Sequence, residues 1–377
     1  MNRLVDYFIS IVEIDSESKD EKAVAEKIAN NLSEMGADIQ FDTAHHATQG
    51  NVGNLIANFK GKGDKKPLLL CAHFDTVKPG KGIKPIIENG IIKTDGSTVL
   101  GSDDKAGIAQ IVEAIRRLDE EGFEYSPLQV LFTISEEIGL LGAKNLDYSL
   151  IDAEMGYALD WHGVGAVVTH APSLNIFEIV ITGKEAHAGG SPEKGISAIK
   201  VAGDAISKLN IGRIDHETTA NIGNIKGGLA HNIVPRECFI SGEVRSHDEK
   251  KLEKLTNEIV TTFEETAQKY EVTIDTEVYR ASSHAHVIKD FPALKIDKER
   301  EIVQIAMRAA ENIGITPQIV TGGGGSDANV FFEHGLVVPI IGTGMEDVHS
   351  TKEFIKIDDL EKVTQWVMEI IKEYTKK

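Results

Sequence analysis

The chain has 377 residues, of which 41% are hydrophobic and 26% are charged, and its formal net charge is −19. This length predicts about two domains, and the composition is typical of a soluble globular protein. The acidic balance and the lack of a long lysine or arginine run exclude a nucleic-acid partner, because phosphate binding needs a basic surface.

The sequence also indicates where the protein is found. The apolar runs are too short to span a membrane, and the first fifteen residues predict an amphipathic helix rather than a signal peptide. The two cysteines, Cys71 and Cys238, lie far apart in apolar runs, which predicts buried free thiols and not a disulfide framework. We therefore expect a cytoplasmic protein without a membrane partner.

Helices and strands alternate in the first part of the chain. Apolar periodicity predicts helices over 2–14, 20–35 and 105–121, and strands over 54–59, 67–74, 128–135 and 155–160. This alternation predicts an α/β fold, a doubly wound and mostly parallel sheet with helices on both faces.

The pattern changes near residue 175. A strand from 175, a helix over 193–209, strands over 218–226 and 233–246, a helix over 248–270 and a strand over 272–280 form a predicted β-α-β-β-α-β unit, which is ferredoxin-like. Helices over 298–313, 327–334 and 358–375, with a strand over 336–342, then resume the α/β pattern. We therefore predict one domain from 1–174 and 288–377, interrupted by an inserted α+β domain at 175–287.

Polar residues that carry chemistry stand at the ends of the predicted strands. They are His73 and Asp75 in LLLCAHFD, Glu136 and Glu137 in VLFTISEE, Asp160 in MGYALD and His349 in EDVHSTKE. Taken alone, the segments of His73, Asp160 and His349 are best explained as ordinary polar strand ends. That explanation is weaker for the adjacent pair Glu136 and Glu137. Because ligands of parallel sheets bind at the carboxyl ends of the strands, the set predicts one site. Histidine and carboxylate ligands without cysteine favour a hydrolytic zinc pair.

Two short motifs allow different roles for neighbouring residues. His73 and Asp75 share one side of their strand, so the aspartate could orient the histidine ring. Asp103 and Asp104 in LGSDDKAG precede a helix, and aspartate is a preferred N-cap, so one could cap the helix while the other bridges two metals.

Glu136 and Glu137 are adjacent at the end of a buried strand, where unpaired charges are costly. Successive side chains of a strand point to opposite faces, so the two carboxylates should have different roles. One would bind a metal and the other would act as a general base on water.

In this order and spacing, the motifs HFD, GSDDKAG, SEE, ALD and HSTKE resemble those of the dizinc metallopeptidases of the M20 family, and most closely those of its peptidase T group of tripeptide aminopeptidases. The resemblance covers nearly the whole chain, including the inserted domain, which is the lid or dimerisation domain in that family. It implies a zinc-peptidase fold, two Zn²⁺ ions, a short-peptide substrate and a homodimer formed through the inserted domain. Co²⁺ or Mn²⁺ could replace zinc at such ligands.

The resemblance implies a role for each residue at the strand ends. The implied metal ligands are His73 and Asp160 for one zinc, Glu137 and His349 for the other, and Asp103 as the bridge, because the family's bridging acid stands two residues before the lysine. Glu136 would be the general base, and Asp75 would orient His73.

The resemblance also implies substrate contacts. His187 in the AHAG motif would stabilise the tetrahedral intermediate, and Asn232 in KGGLAHNIVP lies in a turn that faces the substrate. Arg245 in SGEVRSHD would clamp a peptide carboxylate. The run TGGGGSDAN, which includes Ser326 and Asn329, lacks the lysine of a P-loop and would line the substrate site.

Three hypotheses about function follow. The first is an aminopeptidase that acts on tripeptides or other short peptides. The second is another amide hydrolase of the same architecture, namely a carboxypeptidase, a dipeptidase or an N-acyl amino acid deacylase. The third is a non-catalytic protein that binds metal or peptide on this fold, and Glu136 argues against it, because a binding site needs no general base.

Overall fold

The computed structural model describes residues 2–376. The chain divides into two compact units. One takes in Met1–His170 with Leu294–Lys377, and the other takes in Ala171–Ala293. None of the described helices is both long and apolar enough to cross a membrane.

The elements up to residue 171 alternate between helices and strands. They are α1 (Arg3–Val12), α2 (Lys22–Glu34), β1 (Asp38–Phe41), α3 (His45–Thr48), β2 (Leu55–Phe59), β3 (Leu68–His73), β4 (Ile86–Glu88), β5 (Ile91–Lys93), α4 (Ser102–Glu120), β6 (Leu128–Thr133), α5 (Leu141–Lys144), a 3-10 turn at Tyr148–Leu150, β7 (Met155–His162) and β8 (Ala166–Ala171).

The second unit follows the β-α-β-β-α-β order, with short additional elements. It contains β9 (Ser173–Thr182), β10 (Ala186–His187), a 3-10 turn at Pro192–Lys194, α6 (Ala198–Ile206), β11 (Gly212–Arg213), β12 (Thr218–Gly227), β13 (Ile233–Val234), β14 (Glu237–Ser246), α7 (Glu249–Ala267), β15 (Glu271–Ile274), β16 (Glu277–Arg280) and β17 (Ser282–Phe291).

The last part of the chain completes the first unit. It contains β18 (Leu294–Lys295), α8 (Glu301–Asn312), β19 (Gln318–Thr321), α9 (Asp327–Glu333), β20 (Ile340–Glu346), β21 (Phe354–Lys356) and α10 (Ile357–Lys376).

The first unit is built on a large mixed sheet whose centre is parallel. Its main strand order is β1-β2-β6-β3-β7-β20-β21-β5-β4. The four central neighbours β6, β3, β7 and β20 run parallel, and the flanking strands are antiparallel. The prediction of an α/β fold with a mostly parallel central sheet is confirmed.

The central strands are apolar because both of their faces are covered. Every residue of β3 and β6 is buried, and α4 packs against β3, β7 and β20. Each fully buried large aliphatic side chain contributes roughly 1.5–3 kcal/mol. Buried polar groups are paired: the Tyr157 hydroxyl donates to the Ile302 carbonyl at 2.6 Å, and the Trp366 indole donates to the Ala306 carbonyl at 2.9 Å.

The second unit has a five-stranded antiparallel sheet in the order β11-β12-β14-β9-β17. Helices α6 and α7 pack together and supply Val201, Ile259 and Phe263 to its core. The order and connections are those of the predicted ferredoxin-like unit. The predicted last strand was wrong, because 272–280 lies within the separate β15–β16 hairpin and the sheet is completed by β17.

Candidate metal centre

The ends of neighbouring parallel strands bring the predicted site residues together. His73 is the last residue of β3, Asp160 lies near the end of β7, and Glu136 and Glu137 follow β6. Asp103 lies at the start of α4, and His349 follows β20. The structure therefore places acids and histidines from five segments of the first unit at one edge of its sheet.

His73 faces two carboxylates through one ring nitrogen. Its Nε2 atom lies 3.0 Å from Asp103 Oδ1 and 3.8 Å from Asp160 Oδ1. The other ring nitrogen, Nδ1, lies 3.0 Å from the Asp75 carbonyl oxygen and 3.4 Å from Asp75 Oδ1. A proton on Nδ1 donated to Asp75 leaves Nε2 available as a metal ligand.

His349 makes a second group of the same kind. Its Nε2 atom lies 3.2 Å from Asp103 Oδ2 and 3.0 Å from Glu137 Oε2. The two oxygens of Asp103 therefore face one histidine each. This is the arrangement that a carboxylate bridging two metal ions requires.

Asp104 is engaged differently from Asp103. Its Oδ2 accepts a hydrogen bond from the His73 backbone N–H at 3.2 Å, and its Oδ1 accepts one from the Gly107 N–H at 3.3 Å. Asp104 also lies close to His73 and Asp160, in a second cluster that could hold a metal. Because both of its oxygens already accept backbone bonds, we assign Asp104 to holding the start of α4.

The buried carboxylates of Glu136, Glu137 and Asp160 lie close enough to repel one another. Burial, followed by the charge of neighbouring acids, raises the pKa of Glu136 and of Asp160 well above the ordinary range. Burial also raises the pKa of Glu137, whose Oε1 atom is buried without a hydrogen-bond partner. Burial lowers the pKa of His73, but its bonds to Asp103 and Asp75 outweigh this, so the pKa is raised.

These residues fit divalent metal ions. Two ligand atoms of a tetrahedral metal ion lie about 3.3 Å apart when each is about 2.0–2.1 Å from the ion. The separations around His73 and His349 range from 3.0 to 3.8 Å, which brackets that spacing. Positive charge at these points would relieve the repulsion among the acids and satisfy the unpaired Glu137 oxygen.

Asp75 holds more than the His73 ring. Its Oδ1 accepts the Glu136 N–H at 2.9 Å, and its Oδ2 accepts the Glu137 N–H at 3.2 Å and the Ser18 hydroxyl at 2.6 Å. One fully buried carboxylate thus fixes a histidine and the backbone of both glutamates.

Two family models match the chain. The peptidase dimerisation domain of the M20 family matches residues 173–271. The model of peptidase family M28 matches residues 54–165, the segment that carries His73, Asp103 and Glu137. Both models describe peptidases, and they cover different parts of the chain.

Relatives match the chain over almost its whole length. The protein YqjE of Bacillus subtilis is 42% identical over 375 residues, which cover 99% of each chain. A crystal structure of aminopeptidase PepT from Bacillus cereus is 40% identical, covers 98% of each chain and has a TM-score of 0.88. A tripeptidase from Staphylococcus aureus is 35% identical, with 100% of this chain and 98% of that one covered and a TM-score of 0.93.

The chain belongs to the M20 family of peptidases, in its peptidase T group. It is therefore an enzyme of the peptidase class. In this M20 peptidase the candidate metal ligands and the segment that matches the dimerisation domain lie in separate compact units of one chain.

Two acids of this M20 peptidase were missed by the sequence analysis. Glu353 accepts four hydrogen bonds from the segment 100–103, and Glu21 accepts two from Ser135. Glu353 is the last residue of the HSTKE motif, and this position was the sequence feature that could have indicated a role at the site. Glu21 stands in a polar stretch with no such signal.

His187 and Asn232 lie side by side in the second unit. The strand of His187, β10, pairs with β13, and the Ala188 N–H donates to the Asn232 carbonyl at 3.0 Å. The His187 Nδ1 atom accepts N–H bonds from Gly189 at 3.1 Å and Gly190 at 2.9 Å. In the neutral ring the proton therefore sits on Nε2, which makes that exposed atom a hydrogen-bond donor.

Arg245 lies on β14 with its guanidinium held by a neighbour. Its Nε and Nη2 atoms donate to the two oxygens of Glu243 at 2.9 and 3.2 Å. Glu243 and Arg245 are two residues apart on one strand, so they share a face of the sheet. Among the described residues, no hydrogen bond or ion pair joins this pair to His187 or Asn232.

Ser326 and Asn329 have a local structural role. The Ser326 hydroxyl accepts the Ala328 N–H at 3.2 Å, and Asn329 Oδ1 accepts the Ser326 N–H at 3.0 Å. Both side chains are buried and form a capping box at the start of α9. They fix the end of the glycine-rich run TGGGGSDAN.

Proposed function

We propose that this chain is a metal-dependent aminopeptidase that releases the N-terminal residue from tripeptides. The observation that carries the proposal is the bridging position of Asp103 between His73 and His349, which suits a dinuclear site. The near-full-length similarity to an aminopeptidase and a tripeptidase supports the substrate class.

We assign the metal ligands by these contacts. His73 and Asp160 would hold one ion, Glu137 and His349 the other, and Asp103 both. Zinc suits this set of nitrogen and oxygen ligands, and cobalt or manganese would also fit. When bound, such a pair lowers the pKa of a shared water and polarises the scissile carbonyl.

Glu136 would move the proton in this reaction. Its backbone N–H is held by Asp75, and its side chain is buried at the same edge of the sheet as the proposed ligands. A carboxylate in this place can take a proton from water and return it. It would accept the proton of the attacking water and pass it to the leaving nitrogen. Glu137, the adjacent acid, would remain a metal ligand.

The second unit would supply substrate contacts. The His187 Nε2–H would donate to the oxygen that becomes negative in the tetrahedral intermediate. Arg245 would bind the peptide carboxylate, with Glu243 holding its guanidinium plane in place. Asn232, and the loop shaped by Ser326 and Asn329, would line the peptide.

The proposal is tested by hydrolysis assays on zinc-loaded protein. The substrates are one tripeptide in free, N-acetylated and C-amidated forms, together with a dipeptide. We expect release of the N-terminal residue from the free tripeptide, loss of cleavage on acetylation and weaker cleavage on amidation. Glu136→Ala loaded with zinc is the matched control for contaminating peptidases.

Other outcomes would redirect the assignment. Cleavage of the acetylated peptide would favour the deacylase or carboxypeptidase hypothesis. Preference for the dipeptide would favour a dipeptidase. Metal binding without cleavage of any substrate would favour a non-catalytic binding protein.

We also propose a cytoplasmic homodimer formed through the unit Ala171–Ala293. The M20 dimerisation model matches this unit, and β17 lies at one end of its sheet with Val287 and Ile288 exposed. Two free buried cysteines suit a reducing compartment. Light scattering of the purified protein would test the dimer, and a monomer at micromolar concentration would contradict it.

A further inference from the structure

Glu353 is a buried acid that touches no predicted metal ligand side chain. It is 2% exposed. One oxygen accepts the N–H groups of Leu100 and Gly101 at 2.7 and 2.8 Å. The other accepts the Ser102 hydroxyl at 2.6 Å and the Asp103 N–H at 3.0 Å.

These bonds hold a segment that would not keep its shape by itself. The first N–H groups of a helix lack partners within the helix, and Glu353 supplies an acceptor for one of them, the Asp103 N–H. It also accepts the N–H groups of Leu100 and Gly101, which directly precede α4. Gly101 has a φ of +75°, and Asp103 departs from helical backbone angles. Because Asp103 aims one oxygen at each histidine, a small rotation of this segment would misplace both contacts.

Glu21 holds the other loop of the site. It is fully buried, and its Oε1 atom accepts the Ser135 N–H and hydroxyl, each at 3.0 Å, and the Lys19 N–H at 2.8 Å. Ser135 has a φ of +52°, a strained conformation for a residue other than glycine that persists only where surrounding contacts enforce it. The next residue is Glu136, so Glu21 fixes the approach of the chain to the proposed base.

We propose that Glu353 and Glu21 are positioning residues, Glu353 for the bridging Asp103 and Glu21 for the general base Glu136. The proposal rests on the roles given to Asp103 and Glu136 under the proposed function. Glu353 should therefore govern metal affinity, and Glu21 should govern turnover with the metals in place.

The hydrogen-bond pattern makes a sharper distinction between the two acids. Glu353 uses both oxygens as acceptors, so glutamine would set its amide N–H groups against N–H or O–H donors. Glu21 uses one oxygen only, and its Oε2 atom is buried without a partner. Glutamine can therefore keep the Ser135 bonds at position 21, whereas no glutamine rotamer can replace the carboxylate at position 353.

The variants are Glu353→Gln, Glu353→Asp, Glu21→Gln and Glu21→Ala, compared with the wild type and with Glu113→Gln. Glu113 is an equally buried glutamate, 1% exposed, that pairs with Arg3 and Arg117 away from the site. It controls for the loss of any buried carboxylate. Metal affinity is measured by competition with a chelator, and kcat and KM are measured at saturating metal.

We expect Glu353→Gln to weaken metal binding about 10- to 100-fold, the usual effect of losing support behind a metal ligand. Glu353→Asp should recover part of that loss, because it keeps the charge and two acceptors but is shorter. Glu21→Ala should keep the wild-type metal affinity and lower kcat with little change in KM, and Glu21→Gln should recover most of the kcat. Glu113→Gln should change neither quantity.

Several results would overturn the proposal. Wild-type metal affinity in both Glu353 variants would remove Glu353 from its role. A kcat of Glu21→Ala equal to that of the wild type would remove Glu21 from its role. Losses of metal affinity or kcat in Glu113→Gln as large as those of the site variants would show that loss of any buried carboxylate has the same effect. A wild-type protein that binds metal but cleaves no peptide would instead count against the proposed function. The chelator competition would still test Glu353 in that case.

Discussion

Replacing Glu21 with glutamine should remove a pH dependence of stability that the wild-type protein has below neutral pH. Burial in the folded protein, with a contribution from the charge of Asp75, raises the pKa of Glu21 from 4.5 to about 7. Between these values the folded chain keeps a proton that the unfolded chain has lost. The free energy of unfolding therefore falls as the pH rises from 4.5 to 7 and is then constant with respect to this group.

The size of this effect follows from the width of that pH range. The free energy of unfolding changes by about 1.4 kcal/mol for each pH unit over which the folded and unfolded chains differ by one proton. Between pH 4.5 and 7 the wild type therefore loses about 3 kcal/mol of stability that the glutamine variant keeps. Denaturant unfolding of both proteins at several values between pH 4.5 and 8 measures the difference, and changes common to both proteins cancel in it. The free energy of unfolding of Glu21→Gln should therefore rise relative to that of the wild type as the pH rises.

Two results would refute this reasoning. A difference between the two proteins that stays constant with pH would mean that Glu21 titrates in its ordinary range. If instead the free energy of unfolding of the wild type rises relative to that of Glu21→Gln as the pH rises, the bonds from Ser135 and Lys19 stabilise the carboxylate form more than burial destabilises it. Glu113→Gln provides the comparison for a buried acid that has arginine partners.

Three substitutions test individual site residues. Glu136→Ala should keep its metal and lose roughly 10²- to 10⁴-fold in turnover, the usual contribution of a general base, and wild-type turnover would remove it from that role. His349→Ala should bind fewer metal ions per chain by elemental analysis, because its Nε2 atom faces Asp103 and Glu137 at 3.2 and 3.0 Å; an unchanged count would exclude it as a ligand. Asp75→Asn should weaken metal binding about 10- to 100-fold in chelator competition, because the carboxylate supports the His73 ring; unchanged affinity would assign that support to the Asp75 carbonyl alone.

The convergence of the site could be predicted from sequence because it depends on strand ends. Parallel strands place their carboxyl ends at one edge of a sheet, so His73, Glu137 and Asp160 had to approach one another once β3, β6 and β7 were neighbours. The choice between Asp103 and Asp104 could not be made from helix rules, which allow either residue as a cap. In the structure the two oxygens of Asp103 face the side chains of His73 and His349, whereas those of Asp104 accept backbone N–H groups.

The acids behind the site could not be predicted in the same way. Glu21 lies 114 residues from Ser135, and Glu353 lies 250 residues from Asp103. No local periodicity or cap pattern links such positions, and a charged residue in a polar stretch is usually solvated. Their burial is a property of the folded sheet edge, where loops from distant parts of the chain meet.

The last strand of the second unit shows a different limit. Residues 272–280 alternate as a strand should, but Asp275 has a φ of +55° and turns the segment into the β15–β16 hairpin. The strand that pairs with β9 begins at Ser282, and its mixture of polar and apolar residues is typical of an edge strand. Alternation of polar and apolar residues therefore predicts that a segment is extended, but it does not predict which strand the segment pairs with.

The order of segments around the metal centre has a consequence for synthesis of the protein. His73, Asp103, Glu137 and Asp160 are all translated before the unit Ala171–Ala293, while β20, His349 and Glu353 follow it. A nascent chain carries the acids of the centre for nearly two hundred residues before their second histidine emerges. At about 5–20 residues per second, that interval lasts on the order of ten seconds or more. Until it ends, β7 lacks its neighbour β20, and the ribosome-bound chain lacks the second histidine of the proposed metal centre.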